Sequence, residues 1–136
     1  MASAGGNPNP KANRRKAAER RGRRGETLAA LMLRLKGYRI VAQRLQTRLG
    51  EIDLIARRGT VLVFVEVKAR PTITGAIHAV SPKARRRIEQ AAHQWASRID
   101  PKNQLGRRYD IVAVRPWRWP VHIRDAWRPD FAQSPR

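Results

Sequence analysis

The sequence contains no cysteine, and this absence excludes both a disulfide framework and a zinc site built on thiolates. Any bound metal must therefore be held by oxygen or imidazole ligands. The chain also lacks an apolar run of the length that a signal peptide or a membrane span requires. We therefore expect a cytoplasmic protein that does not enter a membrane.

Acidic residues are scarce as well: 10 aspartates and glutamates stand against 30 lysines and arginines, which gives a formal net charge of +20. A charge of that size predicts an anionic partner. Nucleic acid is the leading candidate, because each phosphate that Lys or Arg neutralises releases counterions and adds affinity that does not depend on base sequence. An anionic membrane surface is the alternative, but the most basic stretch lacks interleaved large apolar residues.

The length of 136 residues fits one domain with a modest core. We expect a basic, disordered N-terminal arm over residues 1–22, because its first residues are mostly Gly, Pro, Asn, Ser and Ala and cannot offset the entropy of ordering. One domain over residues 23–136 follows. Residues 13–24 could instead extend the first helix as a solvated basic stem, and the sequence leaves both alternatives open.

Apolar periodicity predicts an α/β fold with the element order α-β-β-β-α-β. The predicted helices run from about Arg23 to Lys36 and from Pro82 to Ile99. The segment from 71 to 80 is predicted to be a loop, and the tail from 116 to 136 has no clear period. The predicted strands are Tyr38–Ala42, Glu51–Arg57, Val61–Lys68 and Tyr109–Val114.

Two of the predicted strands consist mostly of Ile, Leu, Val and Phe. They also contain four charged residues, Glu51, Asp53, Glu66 and Lys68. An isolated charge is costly in a buried strand unless it is paired or functional. If a two- or four-residue loop joins the strands as a hairpin, opposed residues have odd index sums, so Asp53 shares a face with Glu66 and Lys68. The alternate residues, among them Ile52, are then expected on the opposite face.

Two converging carboxylates suit a hard divalent cation such as Mg²⁺, which prefers oxygen ligands and keeps waters for substrate phosphates. A neighbouring lysine can hold or activate the attacking water and offset charge on a phosphate that is being cleaved. The pattern therefore indicates phosphodiester hydrolysis. The alternative is a surface salt-bridge ladder, and for Glu51, at the strand start, a structural bond to the turn is favoured over metal ligation.

Asp53 followed by Glu66-Val67-Lys68 resembles the PD-(D/E)xK signature of restriction-endonuclease-like and archaeal Holliday-junction-resolvase-like proteins. Three longer blocks, GEIDLIA at 50–56, VFVEVKAR at 63–70 and RYDIVAV at 108–114, resemble the YraN family of uncharacterised bacterial proteins. The similarity spans roughly residues 25–114, with a weaker echo in HIRDAW at 122–127. It implies a restriction-endonuclease-like core in which helices flank a small mixed sheet, in the order α-β-β-β-α-β.

The resemblance also implies roles for individual residues. Asp53 and Glu66 would be metal ligands, and the carbonyl of Val67 would be a further ligand, with Mg²⁺ or Mn²⁺ as the cofactor. Lys68 would be the catalytic lysine. Glu26 would be a catalytic carboxylate on the first helix, although a first-turn glutamate that merely complements the helix dipole is an equal alternative.

Positive side chains close to this motif are candidates for phosphate contacts, although a run of charge is often only a solvated face. We expect Lys83, Arg85 and Arg86 at the start of the second helix to bind nucleic acid, together with Arg70 after the last motif strand. Arg44 departs from the family pattern, because many relatives are expected to carry Asn there. Any contact made by that Asn would be absent in this chain.

The remaining chemistry-bearing residues receive structural interpretations. The three histidines share no ligand-like spacing and are given no role, and Asp110 is expected to pair with a nearby arginine. Trp117, Trp119 and Trp127 are expected to pack over the sheet, with stacking on unpaired bases as the alternative.

The leading hypothesis is a metal-dependent endonuclease that cuts DNA phosphodiester bonds, with branched or structured DNA suggested by the similarity to resolvases. A homodimer would then be needed to cut two strands related by a two-fold axis. The main alternative is a non-catalytic nucleic-acid-binding module with a retained but idle nuclease site. A ribosomal or assembly-type basic protein would also explain the charge, but it would not explain carboxylates within buried strands.

Overall fold

A computed structural model describes residues 10–129 of the chain, apart from the side chains of residues 15–21. Its elements, in chain order, are α1 (Pro10–Leu35), β1 (Arg39–Gln46), β2 (Glu51–Arg58), β3 (Val61–Ala69), α2 (Ile73–His78), α3 (Pro82–Ile99), β4 (Gly106–Val114) and β5 (Val121–Trp127). No helix within this range has the length and apolar content that crossing a bilayer would need. Residues 1–9 of the predicted arm and 130–136 of the predicted domain lie outside the described residues, so the division after residue 22 stays a prediction.

The five strands form one mixed sheet in the order β1-β2-β3-β4-β5. The central β3–β4 pair is parallel and therefore needs the crossover through α2 and α3, while the other neighbouring pairs are antiparallel. Residues of α1 pack on one face of the sheet and residues of α3 on the other. This arrangement confirms the predicted α/β fold, in which helices flank a small mixed sheet.

Each face of the sheet has its own apolar core, and β3 contributes to both. Phe64 packs with Ile88 on the α3 face, and Val63 packs with Leu33 on the α1 face. Phe64 and Leu33 are completely buried, and burying side chains of this size contributes roughly 2 kcal/mol each. The end of β3 that carries the predicted motif is thus anchored from both sides.

Two elements, α2 and β5, are additions to the predicted order, and the structure also decides between the two alternatives left open for residues 13–24. The predicted loop contains α2, whose N-cap Thr72 accepts a hydrogen bond from the Gly75 nitrogen at 3.0 Å. The tail contains β5, in which Ile123 lies opposite Ile111 of β4. The first helix begins at Pro10, so residues 13–24 extend it. Short helices and edge strands bury few residues and therefore leave little periodicity in the sequence.

Side-chain alternation breaks in β1 and β2 at the same level of the sheet. Ile52 and Ile55 are three residues apart, yet both lie in the core on the α3 face. Their partners on β1, Leu45 and Ala42, pack against the same core. Between those two partners, Arg44 has a left-handed backbone with a φ of 52°. Both strands therefore depart from the period of two within the same stretch.

This break explains where the parity argument succeeds and where it fails. The predicted odd-sum register is confirmed, since Leu54 lies opposite Val65, and both lie in the core on the α1 face. The prediction that Ile52 lies on that same face is wrong, because Ile52 packs in the core on the α3 face and the alternation on β2 breaks at Asp53, opposite the left-handed residue Arg44. Asp53 lies at this interruption, just beyond the last β2–β3 pair.

Candidate active site

Asp53 and Glu66 come together where β2 separates from β3. The last pair of the ladder is Leu54 with Val65, and the two acidic residues are the next ones outward on each strand. Asp53 Oδ2 accepts a hydrogen bond from the Val67 nitrogen at 2.8 Å. The carboxyl groups of Asp53 and Glu66 are close enough to form a hydrogen bond when one of them holds a proton. The structure thus brings the two predicted metal ligands together.

Glu66 occupies a desolvated position, and burial raises the pKa of its carboxyl group. The hydrogen bond with Asp53 and the negative charge of Asp53 raise this pKa further, and the charge of Glu51 acts in the same direction. Lys68 opposes the shift, because its ammonium group stabilises the ionised carboxylate. Ionising both carboxyl groups of the pair is therefore unfavourable unless additional positive charge is supplied.

Lys68 lies two residues beyond Glu66 on β3 and is half-buried. Residues at this spacing share a face of a strand. Its effect on the pKa of Glu66 indicates that the two groups are near each other. Among the described residues, however, the ammonium group of Lys68 forms neither a hydrogen bond nor an ion pair. The ammonium group of Lys68 is therefore a positive charge beside the carboxyl pair, and within the described residues it makes no hydrogen bond or ion pair of its own.

Glu26 also faces this region, but Arg44 binds its carboxylate. Arg44 Nε lies 2.5 Å from Glu26 Oε2, and the Glu26 side chain is only 16% exposed. Burial raises the pKa of Glu26, the bond from Arg44 lowers it, and the charges of Asp53 and Glu51 raise it again, with a net upward shift. The left-handed φ of Arg44 is a conformation that asparagine tolerates better than arginine. The position would therefore suit the Asn that we expect in many relatives.

The donor set fits a hard divalent cation that water coordinates in part. Within residues 10–129, no three His, Cys, Asp or Glu side chains cluster as a complete metal-binding group. Asp53 and Glu66 are the carboxylates that converge, and the carbonyl of Val67 stays a predicted third donor. Mg²⁺ in proteins is commonly bound through one or two carboxylates and keeps its other positions for water and substrate oxygens. Two carboxylates therefore suffice for such a cation.

The side chains predicted to contact nucleic acid differ in their exposure and in the contacts that they make within the protein. Lys83, Arg86 and Arg70 are exposed, and none of them forms an ion pair within the described part of the chain. Arg85 instead donates to a main-chain carbonyl at 3.0 Å and lies over the ring of Trp127, 5.4 Å from its centroid. Arg70 also donates to a main-chain carbonyl, that of Ala69 at 2.8 Å, but it stays exposed. The first three are available to a phosphate, whereas Arg85 supports the packing of α3 against β5.

A buried network surrounds Asp110, for which the sequence predicts only an arginine partner. Arg108 donates to both oxygens of the Asp110 carboxylate, at 2.9 and 2.8 Å, which confirms that prediction. His122 Nε2 lies 2.6 Å from Asp110 Oδ2, and the nitrogen of Asp125 donates to Oδ1 at 2.9 Å. Burial alone would raise the pKa of Asp110, but the bonds from His122, Arg108 and the main chain outweigh it and lower the pKa to about 2.

The same network determines the state of His122. Its Nδ1 lies 2.6 Å from Lys36 Nζ, and an ammonium group can only donate. Nδ1 therefore accepts, and Nε2 carries the proton that is donated to Asp110. Tyr38 extends the network through its hydroxyl group, 2.6 Å from Arg108. These contacts join the end of α1 to β4 and β5. The sequence signal that could have indicated this network is the alternation of the charged residues Arg108 and Asp110 along the otherwise buried strand β4.

The tryptophans of the tail do not share one environment. Trp127 is 7% exposed and stacks on Tyr109 with ring centroids 5.3 Å apart, so its predicted packing is confirmed. Trp117 and Trp119 are 102% and 54% exposed, and the prediction that they pack over the sheet is wrong. The reason is their position in the turn between β4 and β5, which extends beyond the paired strands.

Residues 25–114 match a family described as "Uncharacterised protein family UPF0102". The chain belongs to this family. A UPF0102 protein from Mesorhizobium japonicum is 58% identical over 118 residues, which cover 87% of this chain and 94% of the relative. Another from Chelativorans sp. is 58% identical over 113 residues, covering 83% and 91%. One from Parvibaculum lavamentivorans is 53% identical over 113 residues, covering 83% and 85%.

Membership of UPF0102 confirms the expected relationship to the YraN family. The matched segment contains Glu26, Asp53, Glu66 and Lys68, whereas Trp117 lies outside it. Because the UPF0102 description names no activity, a function has to be inferred from the geometry of the carboxyl pair and its surroundings.

Proposed function

We propose that this UPF0102 protein is a metal-dependent endonuclease that hydrolyses phosphodiester bonds in DNA. The observation that carries the proposal is the convergence of Asp53 and Glu66 beside Lys68, whose ammonium group has no bonded partner among the described residues. A structural salt-bridge ladder would pair the lysine directly with a carboxylate, and two adjoining half-buried acids without added positive charge destabilise a fold. The arrangement supports a site for a cation and a phosphate.

Each side chain of the site has a role that follows from its chemistry. Asp53 and Glu66, with the carbonyl of Val67, would hold Mg²⁺ or Mn²⁺. When bound, such a cation supplies positive charge next to the phosphate and makes a coordinated water more acidic. Lys68 orients the attacking water or stabilises the charge that develops on the phosphate oxygens. Glu26 adds a third carboxylate only when Arg44 releases it.

The charge distribution favours a nucleic-acid substrate. The chain carries a net charge of +20, and Lys83, Arg86 and Arg70 are exposed cations without carboxylate partners in the described range. Each lysine or arginine that contacts a phosphate adds affinity, and salt weakens that affinity. We assign these three side chains to the DNA backbone. Branched or structured DNA is the first substrate class to test, with a homodimer required if two symmetric strands are cut.

A second candidate function is nucleic-acid binding with an idle nuclease site. The ion pair between Arg44 and Glu26 favours it, because this contact keeps a nearby carboxylate away from Asp53. The free ammonium group of Lys68 favours catalysis, since an idle site gains nothing from an unpaired charge next to a buried acid.

The test is a cleavage assay on linear duplex, single-stranded, gapped and four-way-junction DNA, with either Mg²⁺ or EDTA. Glu66→Ala and Lys68→Ala are compared with wild type and with Glu51→Ala, which removes an exposed carboxylate from the same region. We expect Mg²⁺-dependent cleavage by wild type and by Glu51→Ala. The other two variants should lose about 100-fold or more of the rate while they retain DNA binding.

Two results would reject the nuclease proposal. Equal cleavage by wild type, Glu66→Ala and Lys68→Ala would show that the carboxyl pair and the lysine do not act on the substrate. Salt-sensitive binding without cleavage of any of the four substrates would establish the second candidate function.

A further inference from the structure

A groove of about 670 Å³ lies between the α1 residues 24–28, the end of β3 and the turn that joins β4 to β5. Its lining is largely apolar and includes Leu28, Pro116 and Trp119. Sites for small ligands commonly have volumes of about 300–1,000 Å³, so a nucleotide can be accommodated. The cations that border the groove are Arg24, Arg70, Arg115 and Arg118.

No acidic side chain of the described residues neutralises this groove. None of its arginines forms an ion pair in the described range, and no Asp or Glu contributes to its lining there. The Nε of Arg115 is buried and has no hydrogen-bond partner among the described residues. Uncompensated cations around an apolar surface favour a ligand that is both anionic and aromatic, since guanidinium groups bind phosphates and stack on ring systems.

Trp117 presents its indole ring to solvent from a strained turn beside the groove. Pro116 and Trp117 occupy the two central positions of this turn, which the Arg118 nitrogen closes by donating to the Arg115 carbonyl at 3.4 Å. Trp117 has a φ of 58°, and this position of the turn normally holds Gly or Asn. Because the side chain is fully exposed, no burial offsets the strain. The fold therefore gains nothing visible from a tryptophan here.

The groove adjoins the candidate active site along two elements. Ala69, which lines it, directly follows Lys68, and Gly25, which also lines it, directly precedes Glu26. Neighbouring strand residues point to opposite faces, so the groove and the Lys68 ammonium group lie on opposite sides of the end of β3. A DNA strand would pass around this end of the sheet to contact both.

We infer that this groove binds an unpaired base of a DNA strand, with Trp117 stacked on the base and the arginines in contact with the flanking phosphates. Stacking on an aromatic side chain accepts any base, because every base has a π-face. A base inside a duplex is already stacked on both sides, so the groove selects single-stranded or gapped DNA. The identity of the ligand rests on the proposed nuclease function, but the binding itself can be measured without cleavage.

Trp117→Gly is the decisive variant, because glycine suits a φ of 58° and the protein should remain at least as stable as wild type. Fluorescence anisotropy in EDTA compares a labelled single strand with the blunt duplex that it forms with its complement. We expect the variant to bind the single strand about tenfold more weakly and the duplex as wild type does. Trp117→Phe should restore most of the affinity. Leu35→Ala, which removes an exposed apolar side chain elsewhere, should leave both affinities unchanged.

An equal loss on single strand and duplex, or no loss on either, would overturn the assignment. Sedimentation velocity without DNA gives a further check, since a dimer that Trp117→Gly converts to monomers would make the groove a protein interface instead. Glu66→Ala separates the two proposals, because it should bind the single strand normally and lose cleavage. A selective binding loss in Trp117→Gly without cleavage by wild type would reject the nuclease function alone, whereas cleavage with normal binding by Trp117→Gly would reject the groove alone.

Discussion

The Val67 nitrogen donates a hydrogen bond to Asp53 Oδ2 at 2.8 Å, just beyond the paired part of β2 and β3. This contact holds the Asp53 carboxylate against the segment of β3 that carries Glu66 and Lys68. A main-chain donor keeps its position whichever side chains around it are protonated. The orientation of Asp53 is therefore set by the fold before any ligand binds.

Glu66→Gln should stabilise the cation-free protein at neutral pH. Burial and Asp53 raise the pKa of Glu66 above its ordinary value of 4.5. The contribution of Glu66 to the stability of wild type is therefore fully present below that ordinary value and is lost as the pH rises toward the raised pKa. Glutamine keeps the capacity for hydrogen bonding without the charge. Thermal unfolding in EDTA should give the variant the higher melting temperature at neutral pH, with a difference that shrinks in acid.

Mg²⁺ should reduce this difference in melting temperature between Glu66→Gln and wild type. The cation stabilises wild type more than the variant, because the variant offers one carboxylate fewer to bind it. Glu51→Gln is the matched control, since Glu51 is exposed and its removal should change the melting temperature little. A Glu66→Gln protein that is less stable than wild type in EDTA at every pH would contradict the unfavourable ionisation of Glu66.

Arg44→Asn should increase the affinity for Mn²⁺. The substitution removes a cation near Asp53 and releases Glu26 from its ion pair. Removing one charge near a partly buried site should strengthen binding by roughly fivefold. Electron paramagnetic resonance of free Mn²⁺ measures the affinity. Arg48→Asn is the control, because it removes an exposed charge from the following turn and should change the Mn²⁺ affinity less. Equal Mn²⁺ affinities of the two variants would show that Glu26 does not reach the site.

Asp110→Asn should destabilise the protein at neutral pH by about 1–2 kcal/mol after allowance for solvent screening. The pKa of Asp110 is lowered to about 2 from an ordinary 3.8, so the ionised carboxylate stabilises the fold above 3.8. That stability is lost as the pH falls toward 2, and the variant should therefore lose less stability than wild type in this range. Urea unfolding between neutral and acid pH measures both effects.

The control for this network is Asp125→Asn, because Asp125 contacts Asp110 only through its main-chain nitrogen and its own carboxylate pairs with the exposed Arg128. Its stability should change little at either pH. If both substitutions flatten the acid response equally, the response does not arise from the buried carboxylate.

Gly50→Ala should destabilise the protein by about 1 kcal/mol through overpacking. A Cβ at residue 50 would lie 3.3 Å from Arg87 Cβ and 3.4 Å from Arg87 O on α3. Gly22→Ala is the contrasting variant, since an added Cβ in α1 meets nothing within 4 Å among the described residues. It should stabilise the helix by about 0.5–1 kcal/mol. Thermal unfolding that shifts in the same direction for both would argue against close packing of Gly50 on α3.

The sequence predicted most of the fold because the apolar pattern and the turn at Gly59 determine both the elements and the register. Odd index sums follow from a tight hairpin, and the pairing of Leu54 with Val65 obeys them. The left-handed backbone of Arg44 has no such signature, since arginine carries no preference for it. The face of Ile52 was therefore not predictable from parity.

Contacts of the candidate site could be predicted only between residues that are close in the sequence. Asp53 and Glu66 belong to one hairpin, so their proximity follows from local register. The pairing of Glu26 with Arg44 and of Asp110 with His122 joins different elements, and only the tertiary arrangement determines it. The exposure of Trp117 opposes the general preference of large aromatic rings for burial, which is why packing was the expected outcome.

β1 forms one edge of the sheet, and the backbone groups on its outer side are a potential template for a second chain. The register shift near Val41 and the left-handed conformation of Arg44 interrupt the regular ladder that strand addition requires. The irregularity beside which Asp53 meets Glu66 therefore also protects the protein against edge-to-edge aggregation.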